Sequence, residues 1–170
     1  MDDETLSLYR RKLETGQLRA FRDPLDPAVP RVAAGCYTIW DSERRLTYAG
    51  MAGRSLTADI IDAAESDPGI RVTGLRDRLA SHRAGRRSGD QFCVYVCGRL
   101  VLPTLTREQI AEAAAGTRRL DDEVRRFIHD RLGYRWVATS DGCEAFELEV
   151  TLLTEGIAGS LPMLNPRRIR

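Results

Sequence analysis

A chain of 170 residues with 42% hydrophobic and 30% charged residues has enough apolar mass for one domain with a buried core, and this balance excludes fibrous and disordered classes. No apolar run approaches the roughly 18 residues needed to span a bilayer, and the N-terminus MDDETLSLYRRK is acidic and polar where a signal peptide is basic and then apolar. A cytoplasmic protein with no membrane partner is expected, and the net charge of +1 conceals one basic stretch, Arg71 to Arg99, in which seven arginines face two aspartates.

In chain order, residues 1–20 read as a peripheral helix with Leu6, Tyr9 and Leu13 on one side. A Pro-rich linker follows from Asp23 to Pro30, and the compact domain is expected to start near Val32. Cys36 to Trp40 and Leu46 to Ala49 are short β-type runs around Asp-Ser-Glu-Arg, a hairpin pattern. Thr57 to Glu65 reads as a short helix closed by Asp-Pro-Gly at 67–69, and Leu75 to Ala84 as a second helix ending before a Gly/Arg/Ser loop. Phe92 to Leu102, the most apolar segment, reads as a central strand. Thr106-x-x-Gln109 predicts a capping box opening a helix to Ala115, stopped by Gly116. Asp121 to Leu132 predicts another helix, Tyr134 to Thr139 a strand, and Glu144 to Glu155 a last helix. The pattern is a small α/β (α+β) domain with a mostly antiparallel sheet, because the first strand connection is too short for a parallel crossover.

Four cysteines (Cys36, Cys93, Cys97, Cys143) form no C-x2-C pair and read as small hydrophobes. Lys12 is the only lysine, so arginine is the default base and only its clustering argues for a polyanionic partner.

Three places carry residues out of keeping with their surroundings. Gly35-Cys36-Tyr37 and Tyr48-Ala49-Gly50 frame the hairpin, and a turn centred between Ser42 and Glu43 sets Tyr37 opposite Tyr48 on one face. On the helix 75–84, Leu75, Leu79 and His82 share a face with Arg78 at its margin, so Arg78 and His82 address one place at the edge of the core. On the last helix Glu149 falls inside the stripe of Ala145, Leu148 and Leu152. A carboxylate turned inward needs a cation or an arginine.

Together with Pro162-Met-Leu-Asn165, these segments follow in order the motifs of a known family. Gly35-Cys-Tyr37, Tyr48-Ala-Gly50, Leu75-Arg-Asp-Arg78-Leu79-x-x-His82, Glu144-Ala-Phe-Glu-Leu-Glu149-x-x-Leu-Leu and Asn165 resemble the GIY-YIG nucleases over Gly35 to Asn165. The resemblance implies residues 32–170 as the nuclease domain, with a three-stranded antiparallel sheet flanked by helices. It implies cleavage of DNA phosphodiester bonds with one Mg²⁺ or Mn²⁺. Carried over, Tyr37 takes the proton of the attacking water, Tyr48 orients water or phosphate, Arg78 holds the phosphate, His82 assists, Glu149 ligates the metal and Asn165 completes the site. Arg54, Arg83, Arg86 and Arg87 become candidate DNA contacts, and a homodimer on DNA is one possible assembly.

The sequence departs from the family at Cys36 and Ala49, where aliphatic residues are usual, and at Met51 to Thr73, which reads as an insertion with its own helix. Arg54 in that insertion is a rival for the phosphate-binding arginine; Leu79 and His82 favour Arg78. The competing expectation is a DNA-binding module without cleavage, or one subunit of a repair or restriction assembly.

Overall fold

The computed structural model describes residues 1–165, so the last five residues of the expected domain lie outside them. Four strands, β1 (Arg19–Ala20), β2 (Gly35–Asp41), β3 (Leu46–Ala52) and β4 (Leu132–Ala138), form one antiparallel sheet in the order β1-β4-β2-β3. The expected mixed class and antiparallel pairing hold, but the three-strand count is corrected to four. The added strand is two residues long and pairs Arg19 with Tyr134 and Ala20 with Gly133; so short a run carries no alternation to read.

Among the described residues seven α-helices pack around the sheet: α1 (Asp3–Thr15), α2 (Ala58–Ser66), α3 (Leu75–Ala84), α4 (Gln91–Val96), α5 (Arg107–Ala114), α6 (Leu120–Arg131) and α7 (Gly142–Thr154). Their ends follow local chemistry. Asp2, Thr57, Asp90 and Asp141 each accept a hydrogen bond from a backbone N–H of the first turn, and Thr106 and Gln109 close the expected capping box. Gly85 ends α3 in the left-handed region at φ 70°, where a side chain would be strained.

The pleat of β2 sends Tyr37 and Ile39 to one face and Cys36 and Trp40 to the other, each face feeding its own core. Leu75 and Leu79 of α3, Phe92, Cys93 and Val96 of α4, and Val124 and Ile128 of α6 cover the first face. Leu13 of α1 and Ala145, Leu148 and Leu152 of α7 cover the second. Leu13 and Val29, from the stretches that read as helix and linker, and Phe21 between those stretches are buried in these cores, and Thr38 Oγ1 donates to the Leu13 carbonyl across 2.9 Å. No helix of the described residues is long and apolar enough to cross a membrane.

Phe92–Leu102 is not a central strand. It is α4 running on into a π-helical turn, Cys97–Val101, and a 3-10 turn, Leu102–Thr104. Phe92, Cys93, Val96, Cys97 and Val101 are buried, a helical period, while Val94 and Leu102 are apolar but exposed. Apolar residues on both sides of a helix erase its period, and the run then looks like a buried strand.

Candidate active site

The hairpin register differs from the expected one by two residues. Tyr37 pairs with Gly50 and Ile39 with Tyr48, with a bulge between Ile39 and Trp40. Asp41 sets the longer loop, its carboxylate accepting from the N–H groups of Glu43 and Arg45 at 2.9 Å, and Arg44 takes φ 60°. A slip of two, unlike a slip of one, preserves the face, so the phenols still meet, now diagonally: their ring centroids are 6.3 Å apart with 27° between planes. Gly50 has a separate purpose. A Cβ there would stand 2.5 Å from Tyr37 Oη and 2.9 Å from its Cζ, so Gly50 leaves that volume to the phenol. Gly35 plays no such part; a Cβ there would strike the Val137 carbonyl oxygen of the neighbouring strand.

His82, projecting from α3 into the same core, lies with Nε2 2.7 Å from Tyr37 Oη and Nδ1 2.7 Å from Asp90 Oδ2. Ser81 Oγ donates to the same Oδ2 at 2.8 Å, and Oδ1 caps α4 by accepting from the Cys93 N–H at 3.2 Å. Tyr37, His82 and Asp90 are 2%, 2% and 1% exposed, so this Tyr–His–Asp chain is sealed on the protein side. Phe92 packs on the imidazole with centroids 4.7 Å apart and on Tyr48 at 5.2 Å.

The remaining candidates surround this chain from outside. Tyr48 is half-buried and Arg78 exposed, and among the described residues no carboxylate or carbonyl takes the Arg78 guanidinium. Glu149 comes from the opposite face of the sheet and turns around the outer edge of β3, where Oε1 accepts the Met51 N–H at 3.0 Å. The same edge is covered earlier along β3 by the C-terminal segment: Leu164 N–H donates to the Thr47 carbonyl at 2.8 Å, and the Asn165 amide bonds both N–H and C=O of Ala49 at 2.9 and 2.8 Å. Asn165 thus holds an edge strand as a neighbouring strand would.

Electrostatics divide the group in two. Burial pushes Tyr37 well above the ordinary phenol value, with Tyr48, Asp90 and Glu149 adding to it and Arg78 opposing. Burial likewise pushes Tyr48 up to about 12, supported by Glu149 and Asp90. Arg78 acts to lower both phenols but is overruled by desolvation. His82 is held below its usual value by burial, which outweighs the pull of Asp90, and Arg78 pushes the same way. Burial acts to raise Asp90, yet the bonds from His82, Ser81 and the Cys93 N–H outweigh it and hold its carboxyl below the usual range. The resting chain is therefore phenol, neutral imidazole, carboxylate. With ordinary values near 10 and 6.5, moving the phenolic proton to imidazole costs about 5 kcal/mol, and this environment widens the gap.

Of the arginines expected to touch DNA, Arg54 is exposed with its guanidinium 3.9 Å over the Phe146 ring, and Arg86 is exposed. Arg83 is engaged inside the protein, donating to the carbonyls of Phe21, Arg22 and Asp23, and Arg87 pairs with Asp121 at 2.5 Å. Cys36, Cys93 and Cys97 are buried and Cys143 exposed, all four as free thiols. Asp90 was not among the sequence candidates. Its signal was the Ser-Gly-Asp turn before an apolar run, which reads as a helix cap once that run is a helix.

Among the described residues no three His, Cys, Asp or Glu side chains gather to hold an ion, so a cation here would have Glu149 as its protein carboxylate. Such a donor set suits Mg²⁺ or Mn²⁺, hard ions that keep several waters and bind through one or two carboxylates plus phosphate oxygens. The chain matches no family model, no curated protein and no solved structure.

Proposed function

We propose that the protein is a metal-dependent endonuclease of GIY-YIG type, hydrolysing phosphodiester bonds of DNA. The observation that carries this reading is a pair of stacked phenols, one of them bonded to a His–Asp pair, with the Glu149 carboxylate and the exposed Arg78, which makes no ion pair among the described residues, near enough to act electrostatically on both. Hydrolysis concentrates negative charge on the phosphoryl oxygens, and a fixed guanidinium addresses it without reorganisation. Arg78 grips the phosphate, Tyr48 orients the attacking water, and Tyr37 takes that water's proton. Glu149 would hold Mg²⁺ or Mn²⁺, which would neutralise phosphoryl charge and favour the phenolate. Arg54 and Arg86, both exposed, are the further contacts to the DNA backbone in this reading, contacts that weaken as salt rises.

The test is supercoiled plasmid with Mg²⁺ or Mn²⁺ and the wild-type protein beside Tyr37→Phe, Arg78→Ala and Glu149→Ala. Nicking by wild type, lost in all three variants, is the expected result. Salt-sensitive DNA binding with no cleavage under either metal would replace this reading by that of a binding module.

A further inference from the structure

Building on the nuclease reading, we propose that Asp90 is a positioning residue that holds His82 as the Nδ1–H tautomer, leaving Nε2 to accept the phenolic proton of Tyr37. Asp90 lies outside the five motifs of the hairpin, α3, α7 and the C-terminal segment, and enters through the N-cap of α4.

The geometry decides the direction of each bond. A carboxylate can only accept, so at 2.7 Å from Asp90 Oδ2 the His82 Nδ1 carries hydrogen, and Nε2, 2.7 Å from Tyr37 Oη, is then the lone pair that receives the O–H. Asp90 is itself immobilised by Ser81 Oγ and the Cys93 N–H, so the imidazole plane is set by a fixed backbone cap. The charged and titratable groups facing His82 are Tyr37 on β2, Tyr48 on β3, Arg78 on its own helix, and Asp90 and Cys93 from α4. Of these Asp90 supplies the negative charge that an imidazolium needs.

The step balances within the chain. The Tyr37 O–H bond breaks and an Nε2–H bond forms, giving phenolate beside Arg78 and imidazolium beside Asp90. The phenolate takes a proton from water as the water oxygen bonds phosphorus. The bond from phosphorus to the leaving oxygen breaks, and that oxygen keeps the electron pair and is protonated from solvent. The chain resets when Tyr37 releases its new proton to solvent and recovers the original from His82. The arrangement is the logic of a Ser–His–Asp triad with a phenol in place of the hydroxyl.

Two measurements test it. Long-range ¹H–¹⁵N spectra of ¹⁵N-histidine-labelled wild-type protein should show His82 protonated on Nδ1, and in Asp90→Asn that proton should shift wholly or partly to Nε2. Cleavage of supercoiled plasmid with Mn²⁺ by Asp90→Asn should fall about 10²- to 10⁴-fold in kcat with KM nearly unchanged, and the acidic limb of the pH–rate profile should move to lower pH because an anion beside His82 is gone. An Nε2–H tautomer in the wild type overturns the proposal, as does a folded Asp90→Asn protein with kcat within about threefold of wild type and the same acidic limb. The wild-type spectrum needs neither a folding variant nor a cleavable substrate. If the wild type cuts no DNA, the nuclease reading fails while the tautomer still decides the role of Asp90.

Discussion

Tyr37 Oη and His82 Nε2, 45 residues apart in the chain, lie 2.7 Å from each other and join the second strand of the sheet to the helix that covers it. That bond makes Tyr37 a different group from a surface tyrosine. Its proton has a defined acceptor, and its ring is fixed between Gly50 and the aromatic cluster of Tyr48, His82 and Phe92. Removing the hydroxyl alone should separate chemistry from folding. Tyr37→Phe leaves Nε2 without its partner, a cost of about 1–3 kcal/mol measurable by urea unfolding, and should abolish nicking while DNA binding persists.

Gly50 offers a test of the same phenol from the other side. In Gly50→Ala the new methyl group overlaps Tyr37 Oη at 2.5 Å, so the ring or the strand must shift. Overpacking of this kind costs about 1–3 kcal/mol. The expected result is a lowered melting temperature together with loss of cleavage, and wild-type activity in Gly50→Ala would show that the phenol is not held where the chemistry needs it.

Arg78 should behave oppositely. It is exposed and, among the described residues, makes no ion pair, so Arg78→Ala should change stability by no more than about 0.5 kcal/mol. Cleavage should fall by at least about 10²-fold, the scale of one lost transition-state donor. Parallel melts and plasmid nicking give both numbers. Arg78→Lys should restore little, because an ammonium lacks the planar fork that grips a phosphate.

Asn165 divides a structural role from a catalytic one. Its amide makes both of its bonds to the Ala49 backbone, so Asn165→Ala strips two hydrogen bonds from the edge of β3, worth about 1–3 kcal/mol together. Amide exchange at Ala49 should quicken markedly. Residual activity should track the fraction of folded protein, and a folded Asn165→Ala protein with cleavage down by 10²-fold would assign the amide to the chemistry instead.

The site also sets a pH window for stability. His82 is depressed below its unfolded value near 6.5, so its contribution is complete above that value and is lost as pH falls through the folded one. Asp90, also depressed, adds a second loss below about pH 4. Tyr37 and Tyr48 are raised, so the unfolded chain ionises first from about pH 10, and stability declines from there through the folded value, about 12 for Tyr48. Melting temperatures taken in steps from pH 4 to 11 should form a plateau between about 7 and 9.5 that falls on both sides. A higher melting temperature at pH 5.5 than at 7.5 contradicts the neutral, buried imidazole.

Much of the candidate site is legible in the sequence. The helical faces of α3 and α7 follow from the spacing of their apolar residues, and the glycine-framed hairpin selects Tyr37 and Tyr48. Local patterns therefore placed His82 on the core face of its helix and Arg78 at the margin of that face. Glu149, read as pointing into the apolar stripe, instead rounds the edge of β3 to meet the Met51 N–H, because α7 crosses near that edge, a placement no single-helix pattern contains. The exposed fraction of the arginines was not legible either, since Arg83 and Arg87 find carbonyls and a carboxylate on segments far from them in sequence.

By itself the sequence determined the mixed α and β class, most helix boundaries and the Thr106–Gln109 capping box. Each of these depends on periodicity or on a side chain within a few residues of the backbone group it satisfies. Only the tertiary structure decided the register of the hairpin, which a bulge and the Asp41 turn set. It also decided the helical state of the 92–102 segment and the arrival of Asp90 behind His82. Those outcomes depend on which buried surfaces and polar groups meet across the sheet, and a carboxylate buried at a helix cap finds its partner only when two helices pack together.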